Sequence, residues 1–309
     1  MRWILCRPPP LCCVKVGKTK SQQREFHCGD LCCSKPSSSP SRRLLTMRPR
    51  WKGKGSAQLA LADPMSKIVS KLQSCLTESK SCASLSNEVV LCEAEPEQAE
   101  LLNRACFGRP MATVAKGRQW FQLGLEEAFY LSNALNCLTV VGEDGSPKDP
   151  QKLAKCMKDR QSMFPMMYKA YSHLRMKNWV VRPGSQYGVD FVVYRHHPAL
   201  VHSEYAALVV WDGDDEFGKA RMRVWSDWHC MLRLCGSVAK SLLVLSISGV
   251  NSSNEFPACL DEWTIEEYTI GRWEAQQHRE DEVPLKVENK CRTSSCDSNA
   301  FPDQIKQNE

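Results

Sequence analysis

Three side chains that can move protons or hold an anion fall in the second half of the chain: Tyr194, His202 and Lys240. A phenol or phenolate can handle the proton of a ribose 2′-hydroxyl, an imidazolium can donate to a departing 5′-oxygen, and an ammonium can stabilise the phosphorane between them. RNA brings its own nucleophile, so this set would suffice to cleave a phosphodiester without metal. A free phenol titrates near pH ~10, and a lysine close to Tyr194 would favour its ionisation. Taken singly, each of the three is equally an ordinary surface or capping residue.

Other chemistries fit less well. Gly53-Lys54-Gly55-Ser56 lacks the upstream strand and the spacing of a phosphate loop. The acidic loop Asp212-Gly213-Asp214-Asp215-Glu216 has its glycine misplaced for calcium and Arg223 where a bidentate Glu is needed, so it reads as a solvated turn. A metal-dependent nuclease would want an acid-x-Lys pair on a core strand, which Glu204-Tyr205-Ala206 does not supply. The 17 cysteines include no C-x-x-C, and Cys230/Cys235 and Cys291/Cys296 are wrongly spaced for zinc. The expectation is a reduced intracellular protein with no metal and no cofactor. The longest apolar run, Tyr205 to Trp211, is far short of the ~18 residues that cross a bilayer, so no membrane is expected. Lys+Arg 41 against Asp+Glu 35, net +6, permits a polyanionic partner without proving one.

The elements that must position Tyr194, His202 and Lys240 are legible from periodicity. Trp179-Val180-Val181 predicts a strand broken by Pro183-Gly184; Gly188 to Arg195 and His202 to Trp211 predict strands separated by His196-His197-Pro198, an antiparallel meander. Ser226 to Ala239 predicts a helix with Trp228, Leu232, Cys235 and Ala239 on one face, followed by strands at Leu242 to Ser248 and Thr264 to Trp273. Upstream, strands at Trp120 to Leu123 and Leu138 to Val141 flank a helix over Leu125 to Asn136, and Pro165 to Lys177 is helical. Ala99, Leu102, Ala105 and Cys106 mark another helix. Ile68, Val69, Leu72 and Leu76 suggest at most one loosely docked helix before it.

The 309 residues accommodate two domains and tails. Residues 1–96 are expected to be a basic, Cys/Ser-rich extension, largely disordered, with residues 1–46 read as a tail rather than a transit peptide and Met47 as a possible later start. Residues 97–162 would be an N-terminal α/β domain, 163–283 a nuclease domain and 284–309 a disordered tail.

The run from Trp179 to Arg195, the following His202-Ser203-Glu204-Tyr205-Ala206, and Leu232-Arg233-Leu234-Cys235-Gly236-Ser237-Val238-Ala239-Lys240 resemble, in order and spacing, three signature blocks of the tRNA-splicing endonuclease catalytic subunits. The resemblance covers roughly Trp120 to Trp273 and looks closest to the subunit that cuts the 5′ splice site, in its plant form. It implies an α/β (α+β) fold, a small N-terminal α/β domain followed by a compact nuclease domain with a mixed, mainly antiparallel sheet. It also implies catalysis by Tyr194, His202 and Lys240, with Tyr187 and Tyr205 as neighbouring decoys and His196 or His197 as alternative acids, both read as solvated. Arg233 and Trp273 match an arginine and an aromatic that sandwich a bulged intron base in the opposite active site. Helix arithmetic is in line: Arg233 lies off the apolar face and seven residues before Lys240, near the same angle. The implied partners are precursor tRNA, a second catalytic subunit and two structural subunits, in the nucleus. A non-catalytic structural subunit or a generic RNA-binding module is the alternative. The extension before Met47 and the acidic run Glu280-Asp281-Glu282, where relatives carry a docking loop, depart from the pattern.

Overall fold

The computed structural model describes residues 17–19, 49–115, 117–211, 225–249 and 255–270. Its first elements lie where little order was expected. Helices α1 (Ser56–Ala62) and α2 (Met65–Glu78) lead into a hairpin of β2 (Cys82–Ser86) and β3 (Val89–Ala94). Met65, Ile68, Leu72 and Leu76 repeat at helical spacing, and the last three are at most 2 % exposed. This helix is therefore fully docked, not loose. In β3 the burial alternates, with Val90, Cys92 and Ala94 inward, and Asn87 takes the left-handed φ of 50° that the two-residue turn requires. The expected disordered extension to residue 96 is thus corrected for its second half. Ser and Glu on the outward face had hidden an inward face of small apolar residues.

Helix α3 (Pro96–Ala105) starts on a proline, whose missing N–H costs nothing in the first turn. Its start is closed by Glu95 N donating to Gln98 Oε1 at 2.9 Å. After it come β4 (Arg109–Ala115), β5 (Arg118–Leu123), helix α4 (Leu125–Phe129), which runs into a π-turn over Tyr130–Ala134, and β6 (Thr139–Val141). These strands form one sheet of order β4-β5-β3-β2-β6, antiparallel except for β2 beside β6. Helix α5 (Pro150–Arg160), capped by Asp149 on Lys152 N at 2.8 Å, and helix α6 (Phe164–Met176) join this unit to the next.

The second sheet contains β7 (Val180–Pro183), β8 (Phe191–Tyr194), β9 (Tyr205–Trp211), β10 (Ser241–Ser248) and β11 (Thr264–Ile270), with a short ladder from β1 (Gly17–Thr19) along β11. Its order is β1-β11-β10-β9-β8-β7, and only β9 and β10 run parallel. That pair needs a crossover, which carries helix α7 (Trp225–Ser237). The two-residue period of the strands divides their side chains between two cores. Phe191 and Val193, Ala207 and Val209, and Leu243, Leu245 and Ile247 belong to the core shared with α6 and the first sheet. Val192, Ala206, Leu208, Leu242 and Val244 pack instead with Cys235 of α7. A mixed α/β protein with two mainly antiparallel sheets results, as the sequence led us to expect.

Candidate active site

Tyr194, His202 and Lys240 are brought to one end of the second sheet by strand direction alone. Strand β8 runs antiparallel to β9 with Val193 opposite Tyr205, and β9 runs parallel to β10 with Tyr205 opposite Ser241. The end of β8 and the beginnings of β9 and β10 therefore coincide. Tyr194 ends β8, His202 lies three residues before β9, and Lys240 immediately precedes β10. The lead-ins are tied crosswise: Glu204 N donates to Val193 O at 2.9 Å and Ser241 N to Glu204 O at 3.0 Å.

The surroundings of each group differ. Tyr194 is half-buried; burial pushes its phenol up, and the neighbouring Tyr187 works in the same direction, while a hydrogen bond with the Ser203 side chain and the charge of Arg182 oppose the rise. His202 is exposed, and its imidazole is held below the ordinary value by partial loss of hydration and then by Lys52, Arg50 and Lys240. Lys240 places its Nζ 4.4 Å from the centre of the Tyr187 ring, a cation–π contact. The lysine was expected to favour ionisation of Tyr194; it seats on Tyr187 instead, and the Tyr194 phenol is raised. Tyr187, passed over as a decoy, is thus the rest on which Lys240 lies. The turn that carries it is tight: a Cβ on Gly184 would come 2.6 Å from the Val189 side chain, and Gly188 closes the turn at φ 67°.

The alternative acids separate clearly. His196 was expected to be solvated, but it is buried, with Nε2 3.0 Å from the Asp63 carbonyl. The turn that carries it folds back under α1 and α2, which the sequence did not suggest were docked there. His197 is partly exposed and its Nδ1 accepts from Ala199 N at 3.1 Å. Between the strands, Arg195 and the buried Glu204 form a two-pronged ion pair at 2.7 and 2.8 Å, with the guanidinium 4.9 Å above the Trp179 ring. Arg195 at the end of one expected strand and Glu204 near the start of its antiparallel neighbour were the available signal for that pair.

Arg233 is exposed on α7. The angular argument that linked it to Lys240 fails, because the helix ends at Ser237, Ala239 adopts φ 50°, and Lys240 N turns back onto Cys235 O at 2.9 Å. Trp273, the acidic loop 212–216 and the run 280–282 lie outside the described residues. The nine described cysteines from Cys75 to Cys259 are all free thiols. Among the described residues no group of three or more His, Cys, Asp and Glu side chains is arranged to hold a metal ion, and no helix is long and apolar enough to cross a membrane.

The sequence that folds this way has relatives among known proteins. The family model described as tRNA intron endonuclease, catalytic C-terminal domain, matches residues 164–252, and that for the N-terminal domain matches residues 82–154. The chain belongs to the tRNA intron endonuclease family, and is an endonuclease of that family. It is 51% identical over 239 residues to tRNA-splicing endonuclease subunit Sen2-1 of Arabidopsis thaliana, covering 77% of this chain and 99% of that one. A probable Sen2 subunit from Oryza sativa subsp. japonica is 50% identical over 241 residues, 75% of this chain and 82% of its own. The tRNA-splicing endonuclease of Saccharolobus solfataricus is 32% identical over 132 residues, 41% of this chain and 71% of its own.

Proposed function

We propose that this chain is a catalytic subunit of a tRNA-splicing endonuclease and cuts precursor tRNA at the 5′ splice site, leaving a 2′,3′-cyclic phosphate and a 5′-hydroxyl. The observation that carries the reading is the convergence of Tyr194, His202 and Lys240 on one sheet end, Tyr194 on β8 itself and the other two on backbone leading directly into β9 and β10. In this reading Tyr194 takes the 2′-hydroxyl proton, the 2′-oxygen attacks the adjacent phosphorus, and His202 gives a proton to the departing 5′-oxygen. Lys240, steadied on Tyr187, neutralises charge on the equatorial oxygens. The raised phenol of Tyr194 makes its phenolate a stronger but rarer base. Loss of hydration and then the cations Lys52, Arg50 and Lys240 depress His202, and RNA phosphates bound beside those cations would offset their part and favour the acid form.

The same reading gives Arg233 and Trp273 the task of stacking on an intron base in a partner's active site. It places the chain in a nuclear assembly with a second catalytic and two structural subunits. Support comes from the named relatives, which are splicing-endonuclease subunits by designation. The test is cleavage of a prefolded intron-bearing precursor by the co-expressed assembly, in excess EDTA with polyamine to keep the tRNA folded. Cutting at the 5′ junction with cyclic-phosphate and 5′-hydroxyl ends is the expected result. Chemistry that stops there and returns only with divalent metal, or cutting confined to the other junction, would overturn it.

A further inference from the structure

The segment Pro49-Arg50-Trp51-Lys52 falls within residues 1–96, the expected N-terminal extension, yet it lies against the site. Lys52 N donates to Leu200 O at 2.9 Å and His202 N donates to Arg50 O at 3.0 Å, while Trp51 bridges antiparallel to Val201. The segment is thus a short strap hydrogen-bonded along the loop that leads into His202. Its Arg50 also reaches sideways, with Nη2 donating to Ala239 O at 2.8 Å, one residue before Lys240. One residue therefore holds the backbones that carry both His202 and Lys240. Arg50 and Lys52 are exposed, and among the described residues no carboxylate forms an ion pair with Arg50, Lys52, His202 or Lys240. The nearest acid in sequence, Glu204, is buried and taken by Arg195.

Four side chains that are cationic or can become so are gathered at one sheet end, and no carboxylate among the described residues is paired with them. Such a cluster repels itself and is relieved by an external polyanion. Arg50 spends one of its five N–H donors on Ala239 O and retains others on a planar edge suited to a phosphate. Lys52 follows two residues on, projecting from the same strap.

We propose that the Pro49–Lys52 strap is a phosphate-binding arm of the nuclease site, in which Lys52 and the remaining N–H edge of Arg50 hold RNA backbone phosphates flanking the bond to be cut. This deepens the reading of the site given above and rests on it. The strap enters from far upstream of the nuclease domain, so it makes the site dependent on a segment outside the family's catalytic domain. Its residues are positioning and binding groups; they do not touch the reacting atoms.

The experiment uses the whole assembly and an intron-bearing precursor with 2′-deoxyribose at the cut nucleotides, which binds but lacks the nucleophile. Binding is measured against salt for wild type, Lys52→Gln, Arg50→Gln and the charge-keeping Lys52→Arg. Each neutralisation should weaken binding several-fold near 0.1 M salt and flatten the log–log salt slope by roughly 0.7–0.9, the worth of one phosphate contact. Lys52→Arg should keep the wild-type slope. An unchanged slope in both Gln variants would overturn the proposal, and a lower melting temperature with that unchanged slope would show a staple and nothing more. All-ribose precursor run beside it keeps the two readings apart: failure of the wild-type assembly to cut it would defeat the proposed function, whereas cutting with unaltered slopes would defeat only the arm.

Discussion

Charge is handled in opposite ways at two places in this chain. At the junction of the two sheets, Arg175 is 5 % exposed and every direction is answered: Nε donates to Tyr171 Oη at 2.9 Å, the guanidinium nitrogens donate to the carbonyls of Ala105 and Cys106 at 3.1–3.2 Å, and the group lies 3.9 Å over the Phe107 ring. Nearby, the buried Glu127 accepts from Gly108 N and Gly124 N at 3.1 and 3.0 Å, with Arg182 3.7 Å away. At the end of the second sheet, Arg50, Lys52, His202 and Lys240 stand exposed or half-exposed beside one another, with cation next to cation. A buried polar network is tolerable only when its members are satisfied, and it then fixes one packing. An exposed cluster of one sign is costly to the fold and useful only to a ligand of the other sign. The first group serves stability; the second is the one we propose for binding and chemistry.

The strongest way to break this division is at His202. Replacing it with Ala should lower cleavage by roughly 10² to 10⁴, about 3–5 kcal/mol of barrier, with precursor binding and melting temperature nearly unchanged. The pH profile sharpens the claim. Partial loss of hydration, and then Lys52, Arg50 and Lys240, lower the imidazole in the free chain, so kcat/KM should fall as pH rises from below the usual histidine value. The basic limb of kcat should lie at higher pH, because bound phosphate offsets those cations. A wild-type rate in His202→Ala, with loss in His197→Ala, would move the acid to the other histidine. A large fall in melting temperature would instead place His202 with the structural group.

The converse test is Arg175→Met, which keeps the apolar stem and strands two carbonyls, a tyrosine hydroxyl and the charge of Glu127. Removing one member of such a buried set costs about 3–5 kcal/mol, which lowers the melting temperature by on the order of 10 °C for a folded body of this size. Cleavage at low temperature by whatever remains folded should be close to wild type. A thermal scan of the purified assembly, with turnover measured well below the transition, separates the two. If turnover collapsed while melting held, the junction would be part of the machinery and the comparison would fail.

Strand periodicity made the active end legible and the junction illegible. Val192 and Val193, like Ala206 and Ala207, alternate between two cores, so the strands bearing Tyr194 and following His202 could be placed from residue pattern alone, and with them the sheet end they share. Arg175 and Glu127 sit in helical segments where a charged residue ordinarily marks a solvated face. Only the packing of α6 on the first sheet, a long-range event, turns them inward. The same reason concealed Arg50: a backbone bridge between residues 51 and 201 leaves no local period. Tyr187 was visible as a residue but not as a support, because its relation to Lys240 depends on where α7 stops, and Ala239 stops it by a left-handed φ that nothing in its type announces.

Between the sealed junction and the open sheet end stands an intermediate case, Glu267 on β11, which gives the smallest expected effect. His173 Nε2 and Lys177 Nζ, both reaching from α6 or its end, lie 3.0 Å from its two carboxylate oxygens. Burial works to raise this carboxyl, but the hydrogen bonds and charges of His173 and Lys177 outweigh it and hold the group at about 2. An unfolded glutamate titrates near 4.3, so the folded form is the stronger acid. The stabilisation is therefore fully present above about pH 5 and is lost as pH falls through the window down to about 2. Solvent reaches part of the pair, which reduces its worth to about 1–2 kcal/mol. Unfolding free energies of wild type and Glu267→Gln from denaturant titrations should differ by that amount at pH 7, with the variant lower, and the gap should narrow steadily towards pH 3. A constant gap would mean that glutamine fails for reasons of packing, and Glu267 would then belong with the sealed charges of the junction. A gap absent at every pH would place it with exposed pairs that contribute nothing measurable, leaving α6 held to the second sheet by its apolar face alone.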